Sequence, residues 1–315
     1  MSTPDRSPSG PTRARRRLVD GRPVTEVQVD GAWTSWPDAD VDPLGIPAGV
    51  ARRDPSPQGA GGAGDGLLPF APLSFRDFML YEKHVVSASR GIARTYLPGA
   101  YRFASLYEKT TRSTFPKFKP AALWYRQPIY YMGNALTFVP TETPVVTPDY
   151  ADSLDYELEL GFVLRAPLRD ASPDEAAAAI GGYVVVNDFS VRNVQLEEMR
   201  SGFGPQKAKH FLSSMSSELV AAETVDVSDL AARVSVNGNV VATSSTRGPA
   251  HSLAEALAHA SRGEQLYPGE LFGTGTLPGC AGIETGTMLR PGDVLELDLE
   301  GIGSIRHTIV PGTRA

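Results

Sequence analysis

Leu154-Asp-Tyr-Glu-Leu-Glu-Leu-Gly-Phe-Val-Leu164 decides the fold, because it combines the apolar run of a buried strand with paired acidic residues. Residues i and i+2 of a strand point to the same face, so Glu157 and Glu159 are expected to project side by side. Two buried carboxylates need a compensating charge, and a divalent cation held by oxygen ligands would supply it. Taken alone, the alternation also fits a half-exposed strand whose acids face water. The segment therefore predicts a strand and leaves the role of its acids open.

Composition limits the class of protein. The chain has 315 residues, enough for one large domain or two small ones, and 41% of them are hydrophobic, which allows a substantial core. No apolar run has the length of a membrane span. The net charge of −6 argues against nucleic acid or an anionic membrane as a partner. Cys280 is the only cysteine, which excludes an internal disulfide and favours a reducing, cytoplasmic location.

Shifts in composition predict four regions. Residues 1–17 are rich in Pro, Ser, Thr and Arg and predict a disordered tail. Residues 18–36 alternate apolar and polar side chains around an Asp30-Gly31 turn, so residues 18–47 are interpreted as a small β region. Residues 48–66 are dense in Gly, Ala and Pro and are interpreted as a linker, so the main domain is expected to span 67–315.

Within the main domain, short strands are expected to outnumber helices. Helices are predicted over 75–89, 173–180 and 252–260. Strands are predicted over 136–139, 156–164, 182–187, 232–242 and 293–299, with Asn237-Gly238 as a type I′ hairpin turn. This pattern indicates a β-rich mixed (α+β) fold rather than a doubly wound α/β fold.

Three further segments place polar residues where ligands could bind. Asn187-Asp188 ends an apolar run, Gly204-Pro-Gln-Lys-Ala-Lys209 places two lysines in a loop, and Asp77 precedes His84 by about two turns of the predicted helix. Each segment also has an ordinary interpretation as a turn-forming aspartate, solvated lysines, or a surface acid and a helical histidine. Their order along the chain is more informative than any one of them.

Together, these segments resemble the ordered motifs of the fumarylacetoacetate hydrolase family. The resemblance covers roughly residues 67–310 and rests on Asp77-Phe-Met-Leu-Tyr-Glu-Lys-His84, Asp155-Tyr-Glu-Leu-Glu159, Asn187-Asp-Phe-Ser-Val-Arg-Asn-Val-Gln195, Gly204-Pro-Gln-Lys-Ala-Lys209 and Gly273-Thr-Gly-Thr276. It implies the mixed β-sandwich roll of that family, with few helices, and a homodimer.

The resemblance also implies a metal site and a set of catalytic residues. The implied ligands of Mg²⁺, Mn²⁺ or Ca²⁺ are Asp77, Glu157, Glu159 and Asp188, a set of oxygen donors that suits hard cations. His84 is implied as the base that activates water. Catalytic roles for Lys209 and Gln195, and substrate-binding roles for Tyr131 and Thr276, complete the implied site.

The implied reaction is metal-dependent hydrolysis of a carbon–carbon bond in a 1,3-dicarbonyl or acylpyruvate-type acid, with an enolate as the leaving group. The expected partner is thus a small keto acid. Two alternatives remain open. One is a metal-dependent decarboxylase, tautomerase or isomerase of a β-keto acid, and the other is a catalytically silent family member.

The sequence departs from the family pattern beside the histidine. The family supports this histidine with a glutamate, either one turn beyond it or from a late segment. Here Ser87 stands one turn beyond His84, and the late segment offers Glu284 or, in another alignment, Arg290. A less well oriented imidazole is a weaker base, so this departure favours reactions that need no activated water.

Overall fold

The computed structural model describes residues 10–37, 44–47 and 67–312. The predicted linker, 48–66, and the first nine residues of the predicted tail lie outside the described residues. The described strands are β1 Arg13–Val19, β2 Arg22–Val29, β3 Ala32–Ser35, β4 Phe75–Phe78, β5 Tyr130–Gly133, β6 Phe138–Pro140, β7 Val145–Val146, β8 Leu154–Asp155, β9 Leu158–Leu164, β10 Ile180–Asn187, β11 Ser190–Val191, β12 Ser213–Met215, β13 Glu218–Ala221, β14 Ala231–Val236, β15 Asn239–Ser245, β16 Leu271–Gly273, β17 Val294–Leu299 and β18 Gly303–Val310. The helices are α1 Glu82–Tyr96, α2 Pro98–Thr111, α3 Pro173–Ala178, α4 Arg192–Arg200, α5 Leu253–Ala260 and α6 Gly282–Thr285.

Two sheets form the body of the fold. The large sheet has the strand order β3-β2-β1-β13-β10-β9-β16-β4-β5, and β12 pairs with both β10 and β6 beside this path. The small sheet has the order β15-β14-β17-β18-β7, and β8 and β11 form a separate pair. This arrangement is a β-rich mixed fold, as the sequence predicts.

Strands β9 and β10 lie at the centre of the large sheet and are buried on both faces. Leu160 and Phe162 belong to the main core, which also includes Val234 and Leu297 of the small sheet. Val163 faces a second core on the opposite side of the large sheet. Because successive side chains of a strand alternate between faces, burial on both faces requires the nearly continuous apolar run seen in the sequence.

The tail predicted over 1–17 is wrong for residues 13–17, which form most of β1. Ala14 pairs with Leu219 of β13, so the N-terminal strands extend the large sheet. The arginines of this segment are held by acids and aromatic rings: Arg13 binds Glu218 at 2.9 Å, and the guanidinium of Arg15 lies 3.9 Å from the centroid of Trp33. The charged composition that suggests disorder thus belongs to a paired strand.

The helix predicted over 75–89 is also wrong in its first part. Residues 75–78 form β4, which pairs with β16 on one side and β5 on the other, and all four are buried. The helix α1 begins only at Glu82. Pairing with two strands outweighs the local helical pattern, since helix propensity is weak compared with tertiary contacts. Asp77 consequently lies on a strand, while His84 lies on a helix.

Most other predicted elements are found close to their expected positions, but the strand predicted over 136–139 begins only at Phe138, because residues 135–137 form a 3₁₀ helix. Asn237 and Gly238 have φ angles of 54° and 75°, the left-handed values that a type I′ turn requires, and they connect β14 to β15. A capping box of Ser172 and Glu175 begins α3. Among the described residues, no helix is both long and apolar enough to cross a membrane.

Candidate metal and active site

Three carboxylates from separate strands of the large sheet converge in its interior. Asp77 lies on β4, Glu159 on β9 and Asp188 just after β10, and each is buried. One oxygen of each lies within 4.8 Å of the others. Asp77 Oδ1, Glu159 Oε1 and Asp188 Oδ1 are buried without a hydrogen-bond partner. Three buried carboxylates at this separation, each with an oxygen that lacks a hydrogen-bond partner, form a set of donors suited to a cation.

The register of the sheet brings Asp77 and Glu159 together around Gly273. This glycine pairs with Asp77 on β4 and with Gly161 on β9. A Cβ atom at position 273 would lie 2.5 Å from Glu159 Oε2 and 2.6 Å from Asp77 Oδ1, so only glycine leaves room for both carboxylates. The backbone N–H of Gly275 donates to Glu159 Oε2 at 3.2 Å and fixes that oxygen.

Electrostatics indicate that this group needs a positive charge. Burial raises the pKa of Asp77 well above its ordinary value, and the negative charge of Asp188 raises it further. Burial followed by the charge of Asp77 has the same effect on the pKa of Glu159. A cation bound beside these carboxylates would lower both pKa values and favour their charged forms. The residues therefore fit a hard divalent ion such as Mg²⁺, Mn²⁺ or Ca²⁺.

Glu157 is buried beside this group but is already held by two cations. Its Oε1 accepts a hydrogen bond from Arg192 at 2.6 Å, and its Oε2 accepts one from the ammonium of Lys209. Although burial alone would raise the pKa of Glu157, the charges of Arg192 and Lys209 lower it. Glu157 differs in this respect from Glu159, and its role as a fourth metal ligand stays a prediction.

Arg192 connects the floor of the site to α6 through Asp155. Its Nε donates to Asp155 Oδ2 at 2.7 Å, and its Nη1 donates to Gln195 Oε1 at 2.7 Å. Asp155 also accepts hydrogen bonds from the N–H groups of Gly282 and Ile283, at 2.6 and 2.9 Å. Asp155 and Arg192 stand within the family-like motifs of the sequence, but no role is predicted for either residue. An arginine directly after a buried strand is the signal that could have identified it.

Lys209 and Tyr131 both bind Oδ2 of Asp188, while Oδ1 has no hydrogen-bond partner. The Lys209 ammonium lies 2.5 Å from Asp188 Oδ2, and the Tyr131 hydroxyl donates to the same atom at 2.6 Å. Burial would lower the pKa of Lys209, but the charges of Asp188 and Glu157 raise it, so the ammonium stays charged. Both side chains predicted from the family pattern thus lie at the cluster.

His84 lies beside the carboxylate group and faces Glu284. Its Nδ1 is 3.1 Å from Glu284 Oε2, without the geometry of a hydrogen bond, and its Nε2 is 3.9 Å from Glu157 Oε1. Glu284 is held in turn by the N–H of Gly279, which donates to both of its oxygens. Of the two alternatives offered by the sequence, Glu284 is the acid beside His84. Arg290 is exposed in the turn before β17.

These side chains open into one cavity of about 410 Å³. Eight of the nine site residues predicted from the sequence line it: Asp77, His84, Tyr131, Glu157, Glu159, Gln195, Lys209 and Thr276. The ninth, Asp188, is buried within the carboxylate cluster just behind the lining. The cavity has the size of a small-molecule site and presents polar groups at one end.

The chain was compared with protein families and with individual proteins. A family model described as fumarylacetoacetate (FAA) hydrolase C-terminal matches residues 106–310. A 2,4-didehydro-3-deoxy-L-rhamnonate hydrolase of Sphingomonas sp. is 31% identical over 58% of this chain and 65% of its own length. An oxaloacetate tautomerase, fahd2, of Xenopus laevis is 27% identical over 59% of each chain. The chain thus spans less than two thirds of the length of these two relatives.

Solved structures show the same fold over nearly the whole chain. A fumarylacetoacetate hydrolase from Exiguobacterium antarcticum superposes with a TM-score of 0.68 at 22% identity, covering 95% of this chain and 99% of its own. A 2-hydroxyhepta-2,4-diene-1,7-dioate isomerase from Mycobacterium marinum gives a TM-score of 0.66 at 22% identity, covering 96% and 100%. The predicted fold class is therefore confirmed.

Proposed function

Because this chain belongs to the fumarylacetoacetate hydrolase family, we propose that it hydrolyses a carbon–carbon bond in a small 1,3-dicarbonyl or acylpyruvate-type acid. The observation that carries the proposal is the contact between His84 and Glu284 at the edge of the carboxylate cluster. A histidine with an acid behind it is the arrangement that activates water. The family contains other chemistries, so the choice of hydrolysis rests on this contact.

We assign the metal to Asp77, Glu159 and Asp188, the three carboxylates that each have an unpaired oxygen. A divalent ion bound there supplies Lewis-acid activation of a substrate carbonyl. Glu157 could join the ligand set only by giving up a contact with Lys209 or Arg192. Calorimetric titration of Mg²⁺ into Glu157→Gln and Glu159→Gln tests whether Glu159 is a metal ligand and Glu157 is not. We expect Glu159→Gln to lose Mg²⁺ binding, and equal losses in both variants would restore Glu157 as a full ligand.

In the proposed reaction, His84 takes a proton from water through Nε2, while its Nδ1 faces Glu284. The charge of Glu284 stabilises the imidazolium that forms. The water oxygen bonds to the substrate carbonyl carbon, the neighbouring carbon–carbon bond breaks, and its electron pair leaves as an enolate. The protonated His84 then returns the proton to the enolate carbon. Lys209 faces the developing negative charge, a contact worth about 3–4 kcal/mol in comparable sites.

The remaining predicted residues orient the substrate. Gln195 is positioned by its bond to Arg192, and Tyr131 by its bond to Asp188. Thr276 lines the same cavity from the loop after β16. We propose that these three groups hold substrate oxygens, with Tyr131 exchanging its hydrogen bond to Asp188 for one to the substrate, so that the scissile bond lies next to His84 Nε2.

The test is turnover of a panel of acylpyruvates, followed by loss of enol absorbance, after treatment with EDTA and re-addition of Mg²⁺ or Mn²⁺. We expect activity to return with the metal. His84→Ala should keep Mg²⁺ affinity and lose turnover by about 10²–10⁴-fold. Full turnover in His84→Ala would remove this residue from the mechanism, and metal binding without turnover of any member of the panel would contradict hydrolysis.

A second candidate is a tautomerase, isomerase or decarboxylase of a β-keto acid. It is favoured by the relatives, since one is an oxaloacetate tautomerase and another, from Escherichia coli, is a bifunctional isomerase/decarboxylase, 28% identical over 64% of this chain. This chemistry uses the same metal and Lys209 but no activated water. Metal-dependent tautomerisation of oxaloacetate or release of CO₂ from it, with no cleavage of acylpyruvates, would favour this candidate.

We also propose a homodimer as the assembly. Light scattering coupled to size exclusion would give twice the chain mass of 33.7 kDa for a dimer.

A further inference from the structure

Much of the cavity is lined by apolar side chains that the proposed chemistry does not use. Helix α1 contributes Val85, Ala88 and Ile92, whose spacing places them on one face, and α4 contributes Leu196 and Met199. Ile129 lines the same cavity from the segment before β5. We call these six residues the outer wall.

The positive charges that line the cavity lie at the carboxylate cluster and not among the six residues of the outer wall. Among the described lining residues, the only lysine and arginine are Lys209 and Arg192. Lys209 binds Glu157 and Asp188, while Arg192 binds Glu157 and Asp155. A second carboxylate at the far end of a substrate would therefore meet the outer wall without a cationic partner. Burying an unpaired charge is strongly unfavourable.

From this arrangement we infer that the substrate is a monocarboxylic keto acid whose tail is uncharged and apolar and packs on the outer wall. The inference rests on the proposed function, because the keto-acid head is assigned to the carboxylate cluster and its metal. The tail is then bound by the hydrophobic effect, which strengthens binding by up to about fourfold for each methylene that is fully buried.

A matched pair of inert keto acids tests the inference without turnover. Calorimetry on the Mg²⁺-loaded protein would compare 2-oxohexanoate with 2-oxoadipate, two chains of equal carbon number that differ in a terminal carboxylate. We expect 2-oxohexanoate to bind at least about tenfold more tightly, because the second carboxylate of 2-oxoadipate has no partner. Affinity should also rise along the series 2-oxobutanoate, 2-oxopentanoate and 2-oxohexanoate.

Two substitutions test where the tail lies. Met199→Arg adds a cation on α4 at a half-exposed position, and Ser89→Arg adds one on α1 at another lining position. Met199→Gln and Ser89→Gln are the neutral controls of similar length. At least one arginine variant should gain about tenfold in affinity for 2-oxoadipate relative to its control, with Mg²⁺ affinity unchanged.

The outcomes distinguish failure of the apolar-tail inference from failure of the proposed function. Equal affinity for the two acids, or a preference for 2-oxoadipate in the wild type, would overturn the apolar tail and leave the proposed function intact. Failure of both arginine variants to gain would overturn its position on the outer wall. If Mg²⁺ binds but neither acid does, the proposed function fails and the inference fails with it.

Discussion

Replacing Glu159 with glutamine should stabilise the metal-free protein at neutral pH, although it removes a metal ligand. Burial and the charge of Asp77 raise the pKa of Glu159 well above the value of 4.5 that it would have when unfolded. The folded state therefore holds its proton more tightly than the unfolded state. The contribution of protonated Glu159 to the free energy of unfolding is fully present below pH 4.5, and it is lost as the pH rises toward the folded pKa.

The magnitude follows from the linkage between protonation and folding. In EDTA, the wild type should lose up to about 1.4 kcal/mol of unfolding free energy for each pH unit between the unfolded and the folded pKa of Glu159. Glu159→Gln lacks this term, since a glutamine does not ionise, and it can still accept the hydrogen bond from Gly275. The stability difference in favour of the variant should thus grow with pH.

With Mg²⁺ bound, the wild type should become more stable than Glu159→Gln. At a free Mg²⁺ concentration of 100 times its dissociation constant, the wild type gains about 2.7 kcal/mol, whereas the variant gains far less.

The assay is urea unfolding at several pH values between 4 and 7, with EDTA or with Mg²⁺. Glu197→Gln is the matched control. The side chain of Glu197 is 72% exposed on α4, so this substitution removes a carboxylate that lies outside the buried cluster. A Glu159→Gln variant that is less stable than the wild type at pH 7 in EDTA would refute the reasoning. A stability difference that stays constant with pH would refute it as well.

Three other changes probe the same site. Arg192→Met leaves buried Asp155 without its cation and Glu157 with Lys209 alone, and it should cost about 3–5 kcal/mol in urea unfolding, while Arg200→Met, at an exposed pair, should change stability by less than about 0.5 kcal/mol. Gly273→Ala should weaken Mg²⁺ binding in calorimetry, because its Cβ would displace both carboxylates, whereas Gly99→Ala meets open space and should leave Mg²⁺ affinity unchanged. Glu284→Gln should keep Mg²⁺ affinity but lower kcat by about tenfold or more in steady-state assays, and an unchanged kcat would remove this acid from the mechanism.

The sequence predicts most of the central fold, because burial on both faces leaves an unmistakable apolar run. It also predicts the Asn237-Gly238 turn, where the local backbone requirement is specific. Elements decided by distant partners could not be predicted this way. The local pattern of residues 75–78 predicts a helix, but pairing with β16 and β5 makes them a strand. Likewise, the composition of residues 13–17 predicts a tail, but pairing with β13 makes them a strand.

The site, like the fold, is predicted in part by local sequence and decided in part by distant partners. The ordered motifs predict which residues lie together. Eight of the nine predicted site residues line one cavity, and the ninth, Asp188, is buried in the carboxylate cluster behind the lining. What the motifs could not give is how charge is distributed among them. Glu157 and Glu159 are equivalent in the sequence, yet one is bound by Arg192 and Lys209 while the other faces Asp77. Only packing distinguishes the two acids.

Asp155 also affects how this protein can change through evolution. One carboxylate fixes the start of α6, which carries Glu284, and fixes Arg192, which holds Glu157 and Gln195. Glu284 and the floor of the site are thereby connected through one carboxylate, and a substitution of Asp155 would disturb both. The side chains of α1 and α4 that line the outer cavity carry no such bond to Asp155. New substrates can therefore be acquired there one substitution at a time, while the inherited chemistry is kept.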